Sequence, residues 1–330
     1  MQHPLHAIMY TTLITAEQLQ ALTGDSAASV LIVDCTADLM QAEAGRQQFE
    51  AAHIAGALYA DLNTDLSAHA PAETASGGRH PLPTREHFAQ WLRQIGLTPH
   101  TQVVAYDRNG MNFCGRLWWM LKWLGHDAVA VLDGGWGAWQ AMGGAVAQGS
   151  GHAPTPSNWE AGHALMSPVS AETVMAHLGT PGQTIMDARA TPRYRGDVEP
   201  LDPVAGHIPG ALNRPFALNL DDKGCFKPAE QLRAEFLALL DGRAPASVVH
   251  QCGSGVSALP NMLAMSVAGL HGSQLFAGSW SEWCQDPRCE VSQLLAASKA
   301  LLGETSHSYR LRWGVDKALL GRTYISTTNF

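Results

Sequence analysis

The residues best suited to chemistry stand together in Cys252-Gly253-Ser254-Gly255-Val256-Ser257. They follow Val248–Gln251, a short β-branched run that reads as a buried strand, and lead into Ser257–Ala268, which carries a helical pattern. A tight turn from strand into helix points successive backbone N–H groups inward. With the helix N-terminus they favour an anion at the turn's centre. The two glycines permit the φ values such a cradle needs. A cysteine at its first position holds its thiolate in that field and is a nucleophile at neutral pH. A cysteine after a strand is more often a small buried apolar side chain. The glycine cradle reverses that expectation here.

Two other uses of a glycine loop fit less well. Gly253-x-Gly255-x-x-Ala258 matches the loose dinucleotide-binding pattern, but no acidic residue for a ribose follows around Leu275-Phe276-Ala277. A cysteine phosphatase wants an arginine closing the loop on a phosphate dianion, and the residue six after Cys252 is Ala258. The remaining cysteines are Cys35, Cys114, Cys225, Cys284 and Cys289, with no CxxC pair and no zinc-type spacing, so no metal is expected. Cys35 and Cys114 fall on presumed core elements and Cys225 in a polar loop. Cys284 and Cys289 lie close enough in sequence to leave a redox pair open.

The elements that must position Cys252 occur twice. Val30-Leu31-Ile32-Val33-Asp34 pairs with Thr184-Ile185-Met186-Asp187, and His53-Ile54-Ala55-Gly56-Ala57 with His207-Ile208-Pro209-Gly210-Ala211. Val103-Val104-Ala105-Tyr106-Asp107 pairs with Val248-Val249-His250-Gln251-Cys252, and Gly134-Gly135-Trp136 with Gly278-Ser279-Trp280. Four blocks in the same order indicate a duplicated domain. Helical patterns at Arg85–Ile95, Gly115–Leu124, Ala229–Leu240 and Ser257–Ala268 alternate with strand candidates. The fold class is therefore α/β, each copy a mostly parallel sheet with helices on both faces. The expected division is 1–148, a linker 149–162 (polar, with Gly and Pro), 163–290, and an extension 291–330 of unknown role. Within the extension Ser292–Leu302 reads as a helix. At 330 residues, two cores are the natural arrangement.

With 46% hydrophobic and 15% charged residues the chain is globular rather than disordered. A formal net charge of −8 and the lack of a basic tract argue against nucleic acid as a partner. The start, Met1-Gln2-His3-Pro4-Leu5-His6, lacks the pattern of a secretory signal, and no apolar run is long enough to span a bilayer, so no membrane association and a cytoplasmic location are expected.

On the cysteine loop, the paired His-Ile-x-Gly-Ala segments and Gly278-Ser279-Trp280-Ser281-Glu282-Trp283, the chain resembles the tandem rhodanese family, in its 3-mercaptopyruvate and thiosulfate sulfurtransferase branch. The resemblance covers roughly residues 10–290. It implies two rhodanese-like domains, the first catalytically silent. Asp107 stands where Cys252 stands in the second, and a carboxylate cannot form a persulfide. It implies sulfur carried covalently on Cys252, without a cofactor, from a small sulfur donor to cyanide, a small thiol or a protein thiol such as a thioredoxin-like protein. Gly253, Gly255, Val256 and Ser257 would line the cradle. Thiosulfate-type members carry Arg and Lys after the cysteine, where this chain has neutral Gly253 and Ser254, so mercaptopyruvate is the expected donor. By the same resemblance Arg193 binds its carboxylate. A second arginine expected after Glu199-Pro200 is replaced by Leu201, and Arg195 or Arg189 would have to serve. The family's proposed Ser–His–Asp relay maps onto Ser254 and His80, but its acidic position falls on Asn63, with Asp61 or Asp65 as substitutes. These departures motivate an alternative reading, a persulfide carrier that delivers sulfur to partner proteins and turns over small donors slowly.

Overall fold

The computed structural model describes residues 9–151, 154–293 and 309–311. Two five-stranded parallel sheets carry the two copies. In the first the strands lie in the order Leu13–Ile14, Val129–Leu132, Gln102–Tyr106, Val30–Asp34, Leu58–Tyr59. In the second the order is Pro168–Val169, Gln274–Phe276, Val248–Gln251, Thr184–Asp187, Leu212–Asn213, the same path through the sheet. The central pairs share their register: Asp34 lies beside Tyr106, and Asp187 beside Gln251. Asp107 and Cys252 therefore leave the carboxyl ends of equivalent central strands. That end of an open parallel sheet is where ligands bind.

The expected helices form with small changes at their ends. Arg85–Gln94 starts where the Thr84 hydroxyl accepts the His87 N–H, a side-chain cap on an otherwise unpaired donor. The helix after the cysteine loop begins at Leu259, so Ser257 and Ala258 belong to the turn. Cys114–Trp123 is buried along its whole length, including Trp118 and Trp119. Apart from Arg116 and Lys122 it is apolar on all sides, and such a helix must be covered on all sides. It is covered by the second copy: a Cβ on Gly115 would stand 3.1 Å from the Leu259 Cβ, so the two helices approach at a residue without a side chain. One apolar cluster runs from Val33, Leu117 and Trp119 to Leu259, Met262 and Leu275, across both copies.

The segment expected as a linker is held against the first sheet's helices. Trp159 is buried, the Ser157 amide donates to the Arg93 carbonyl at 2.8 Å, and the Gly162 amide to the Leu124 carbonyl at 2.8 Å. Ser292 and Gln293 are not helical as expected. Val291–Gln293 is a strand, antiparallel to Tyr309–Leu311, and the rest of the expected helix lies outside the described residues. The Ser292 amide and carbonyl both bond His207, which draws the chain into an edge pairing instead.

Candidate active site

The first copy shows what the strand-to-helix cradle is built to hold. The Asp107 carboxylate lies in its own loop and accepts four backbone N–H groups, from Asn109, Met111, Phe113 and Cys114, at 2.8–2.9 Å. Gly110 and Gly255 occupy matching positions, both with positive φ, 70° and 75°. The tryptophan amides that hold the two loops also match: Trp136 donates to the Asp107 carbonyl at 3.1 Å and Trp280 to the Cys252 carbonyl at 3.0 Å. The second cradle thus has the form of an anion site, with a sulfur on its first residue in place of a carboxylate. A Cβ on Gly255 would come within 2.0 Å of the Ala277 carbonyl oxygen, so only glycine fits there. Ser279 also braces the loop, accepting from the Cys252 amide at 3.1 Å and donating to the Phe276 carbonyl at 2.9 Å. Cys252 is 1% exposed, and Val256 and Ser254 are buried beside it in the turn, with Ser257 half-buried.

The first copy closes over this loop. His80 Nδ1 lies 2.7 Å from the Ser254 hydroxyl, across the boundary between the copies. The Arg79 amide donates to the Ser281 hydroxyl at 2.9 Å, and a Cβ on Gly78 would meet the Gly278 carbonyl at 2.5 Å. Burial lowers His80 to about 3, and the Arg116 and Arg79 charges push it the same way, so the ring is neutral at physiological pH. A neutral imidazole can exchange a proton with the Ser254 hydroxyl, but among the described residues no carboxylate bonds the ring from behind. Asp61 and Asp65 do not substitute for Asn63. Asp65 accepts the Asp61 amide at 2.8 Å, and Asp61 accepts those of Asn63 and Thr64, so both carboxylates close their own turn.

Arg193 reaches the loop. Its Nη1 would stand 3.5 Å from a Cβ on Gly253. Arg79, which the residue pattern did not single out, is nearer still, with Nη2 3.1 Å from the same point. The available signal was its place beside His80 in Gly78-Arg79-His80. Arg193 pairs with Glu199 at 2.6 Å and with Asp202 at 3.3 Å, and Arg79 pairs with Asp202 at 2.5 Å. The two arginine side chains keep 18% and 29% of their surface while the carboxylates are buried, so the guanidinium groups face the mouth of the site. The substitutes for the missing second arginine are not available. Arg195 lies two residues from Arg193 on a short helix, is turned out to solvent, and has no hydrogen bond or ion pair among the described residues. Arg189 is buried between Asp187 at 2.6 Å and Glu199 at 3.4 Å, with its guanidinium over the Trp280 ring. The other five cysteines are free thiols; Cys284 and Cys289 are not bonded to each other.

Known proteins match this architecture along the same stretch. The rhodanese-like domain family matches residues 15–142 and again residues 170–286. A probable 3-mercaptopyruvate sulfurtransferase of Pseudomonas aeruginosa is 45% identical over 281 residues, covering 85% of this chain and 97% of that protein. A putative thiosulfate sulfurtransferase of Mycobacterium tuberculosis is 37% identical over 287 residues, 85% of this chain and 96% of its own. Among solved structures, a 3-mercaptopyruvate sulfurtransferase from Leishmania major superposes with a TM-score of 0.70 at 28% identity, over 86% of this chain and 80% of that one. With both copies matched and relatives aligned across both, the chain belongs to the rhodanese family.

Proposed function

We propose that the protein is a sulfurtransferase that takes sulfur from 3-mercaptopyruvate onto Cys252 and passes it to a thiol or to cyanide. The observation that carries this reading is the meeting of Arg79 and Arg193, one from each copy, beside Gly253 and next to the cysteine. Two planar guanidinium groups suit a carboxylate. They are already answered by Glu199 and Asp202, so the mouth has little excess positive charge for a dianion such as thiosulfate. The relatives' names span both donors, and this charge balance favours the monoanion.

In the first half-reaction the Cys252 thiolate attacks the donor sulfur. The carbon–sulfur bond breaks, its electron pair goes to the enolate of pyruvate, and a proton completes pyruvate. The Ser254 hydroxyl, bonded to neutral His80, stands where that proton can be relayed. In the second half-reaction an acceptor thiolate or cyanide attacks the outer persulfide sulfur and Cys252 leaves as a thiolate. The cradle amides stabilise the sulfur charge in both halves. No cofactor enters this scheme. The burial of Cys252 favours small acceptors, with the thiol of a thioredoxin-like protein reaching only the outer sulfur, and it weighs against a carrier that docks on the cysteine itself. Among the described residues no helix is long and apolar enough to cross a membrane, and the free thiols suit the reducing cytoplasm we assign it.

Sulfur release from mercaptopyruvate and from thiosulfate, measured side by side for wild type and Cys252→Ser, tests the proposal. Faster turnover of mercaptopyruvate and loss of both activities in the variant are expected. Activity that survives Cys252→Ser removes the cysteine from the mechanism, and slow turnover with stable persulfide loading returns the carrier reading.

A further inference from the structure

Arg116 lies in the first turn of the buried Cys114–Trp123 helix of the first copy, and none of its surface reaches solvent. Its Nε donates to the Leu66 carbonyl at 3.2 Å, Nη2 to the His80 carbonyl at 2.8 Å and Nη1 to the Gly255 carbonyl at 3.2 Å. All three acceptors are neutral. Among the described residues no carboxylate pairs with it. A buried charge without a counter-charge is costly, and interiors keep one only when something compensates it. The charged groups around the cysteine loop show what is left over. Arg189 is answered by Asp187 and Glu199, Arg193 by Glu199 and Asp202, and Arg79 by Asp202, while His80 is neutral. Arg116 is the unmatched cation, and its Nη1 holds the Gly255 carbonyl in the loop that begins at Cys252.

The duplication supplies a control. The residue matching Arg116 in the second copy is Asn261, also fully buried: it donates to the Arg214 backbone carbonyl at 2.8 Å and accepts from the Asn219 side-chain amide at 2.6 Å. It is neutral. Its helix packs toward the first copy, whose loop carries Asp107, an anion already held by four amides. Arg214, the cation beside Asn261, is paired with Glu235, so an unpaired cation stands only on the side that faces the loop with the sulfur.

We propose that Arg116 is a positioning residue through which the first copy supplies the counter-charge of the Cys252 sulfur, as thiolate and as persulfide anion, while fixing the loop through the Gly255 carbonyl. The silent copy then contributes charge as well as cover. The proposal rests on Cys252 being the reactive sulfur, and its test needs no sulfur donor, so the two can fail separately.

Full-length wild type, Arg116→Met and Arg116→Lys are alkylated with iodoacetamide at one neutral pH, and the rate on the Cys252 peptide is read by mass spectrometry against that of Cys225 in the same protein. Arg116→Met should slow Cys252 alkylation relative to Cys225 by about tenfold. Arg116→Lys should restore most of it, which a purely structural role would not produce. A wild-type ratio in folded Arg116→Met overturns the proposal. If Arg116→Met does not fold, Arg116→Gln, which keeps a donor for backbone carbonyls and drops the charge, takes its place. The same loss is expected, and a wild-type ratio overturns the proposal equally.

Discussion

At the scale of single residues, the site departs from its expected form by substitution in space rather than in sequence. In the proposed clamp the partner missing at Leu201 is supplied by Arg79, more than a hundred residues earlier, because the first copy's Gly77-Gly78-Arg79-His80 segment lies on the second copy's loop. Asp202, next to Leu201, holds both guanidinium groups in place. Each charge-assisted contact to a donor carboxylate is worth about 1.5–3 kcal/mol, or roughly 10- to 100-fold. Arg79→Ala and Arg193→Ala should each lower kcat/KM for mercaptopyruvate by about that factor, mostly through KM. The double variant should lose less than the product of the two, because the arginines share Asp202 and one ligand group. Steady-state kinetics on the three variants checks this. Full additivity would place the two arginines on separate groups, and a neutral Arg79→Ala would take it out of the clamp.

At the scale of elements, the strands, the main helices and the cysteine loop were legible because each depends on local pattern: β-branched runs, a capping threonine, a glycine that must turn with positive φ. The repeat was legible because four blocks kept their order. What the pattern could not reveal is which element covers which. Arg195 and Arg189 were as plausible as Arg79 on spacing alone, and only the packing separates an exposed, a locked and a convergent guanidinium. Arg116 carried a signal, a charge among apolar residues of a helix, but its reach to Gly255 depends on the approach of two helices at Gly115. Ser292 and Gln293 turned into an edge strand because their partner, His207, is distant in sequence. The comparison of the two cradles makes its own prediction. Asp107 gives three buried amides, those of Met111, Phe113 and Cys114, their acceptor, so Asp107→Ala leaves these three unpaired. The loss should be of the order of 3 kcal/mol or more, allowing for relaxation. Urea denaturation should show a lower midpoint with an unchanged slope, while the KM for mercaptopyruvate in the folded enzyme stays as in wild type.

At the scale of the whole molecule, the two copies share one apolar cluster, so anything that destabilises one side is felt by both, and unfolding should be a single transition. Acid should drive it through two histidines. Burial lowers both His80 and His250 from 6.5 to about 3. The unfolded chain takes up those protons near pH 6.5 and the folded chain does not. The unfolded state therefore binds more protons between about pH 6.5 and 3, and stability must fall as pH drops through that window. In its middle each histidine adds a slope of about 1.4 kcal/mol per pH unit. His250 isolates the effect, because among the described residues its two ring nitrogens have no hydrogen-bond partner and it lies on the Val248–Gln251 strand away from solvent. Replacing it with leucine removes no bond and leaves nothing to protonate. The stability of His250→Leu and wild type, measured by denaturant titration from pH 7 to pH 4, should diverge on acidification, the variant losing stability more slowly by about one histidine's slope. Parallel curves would mean that the buried ring accepts a proton in the folded state.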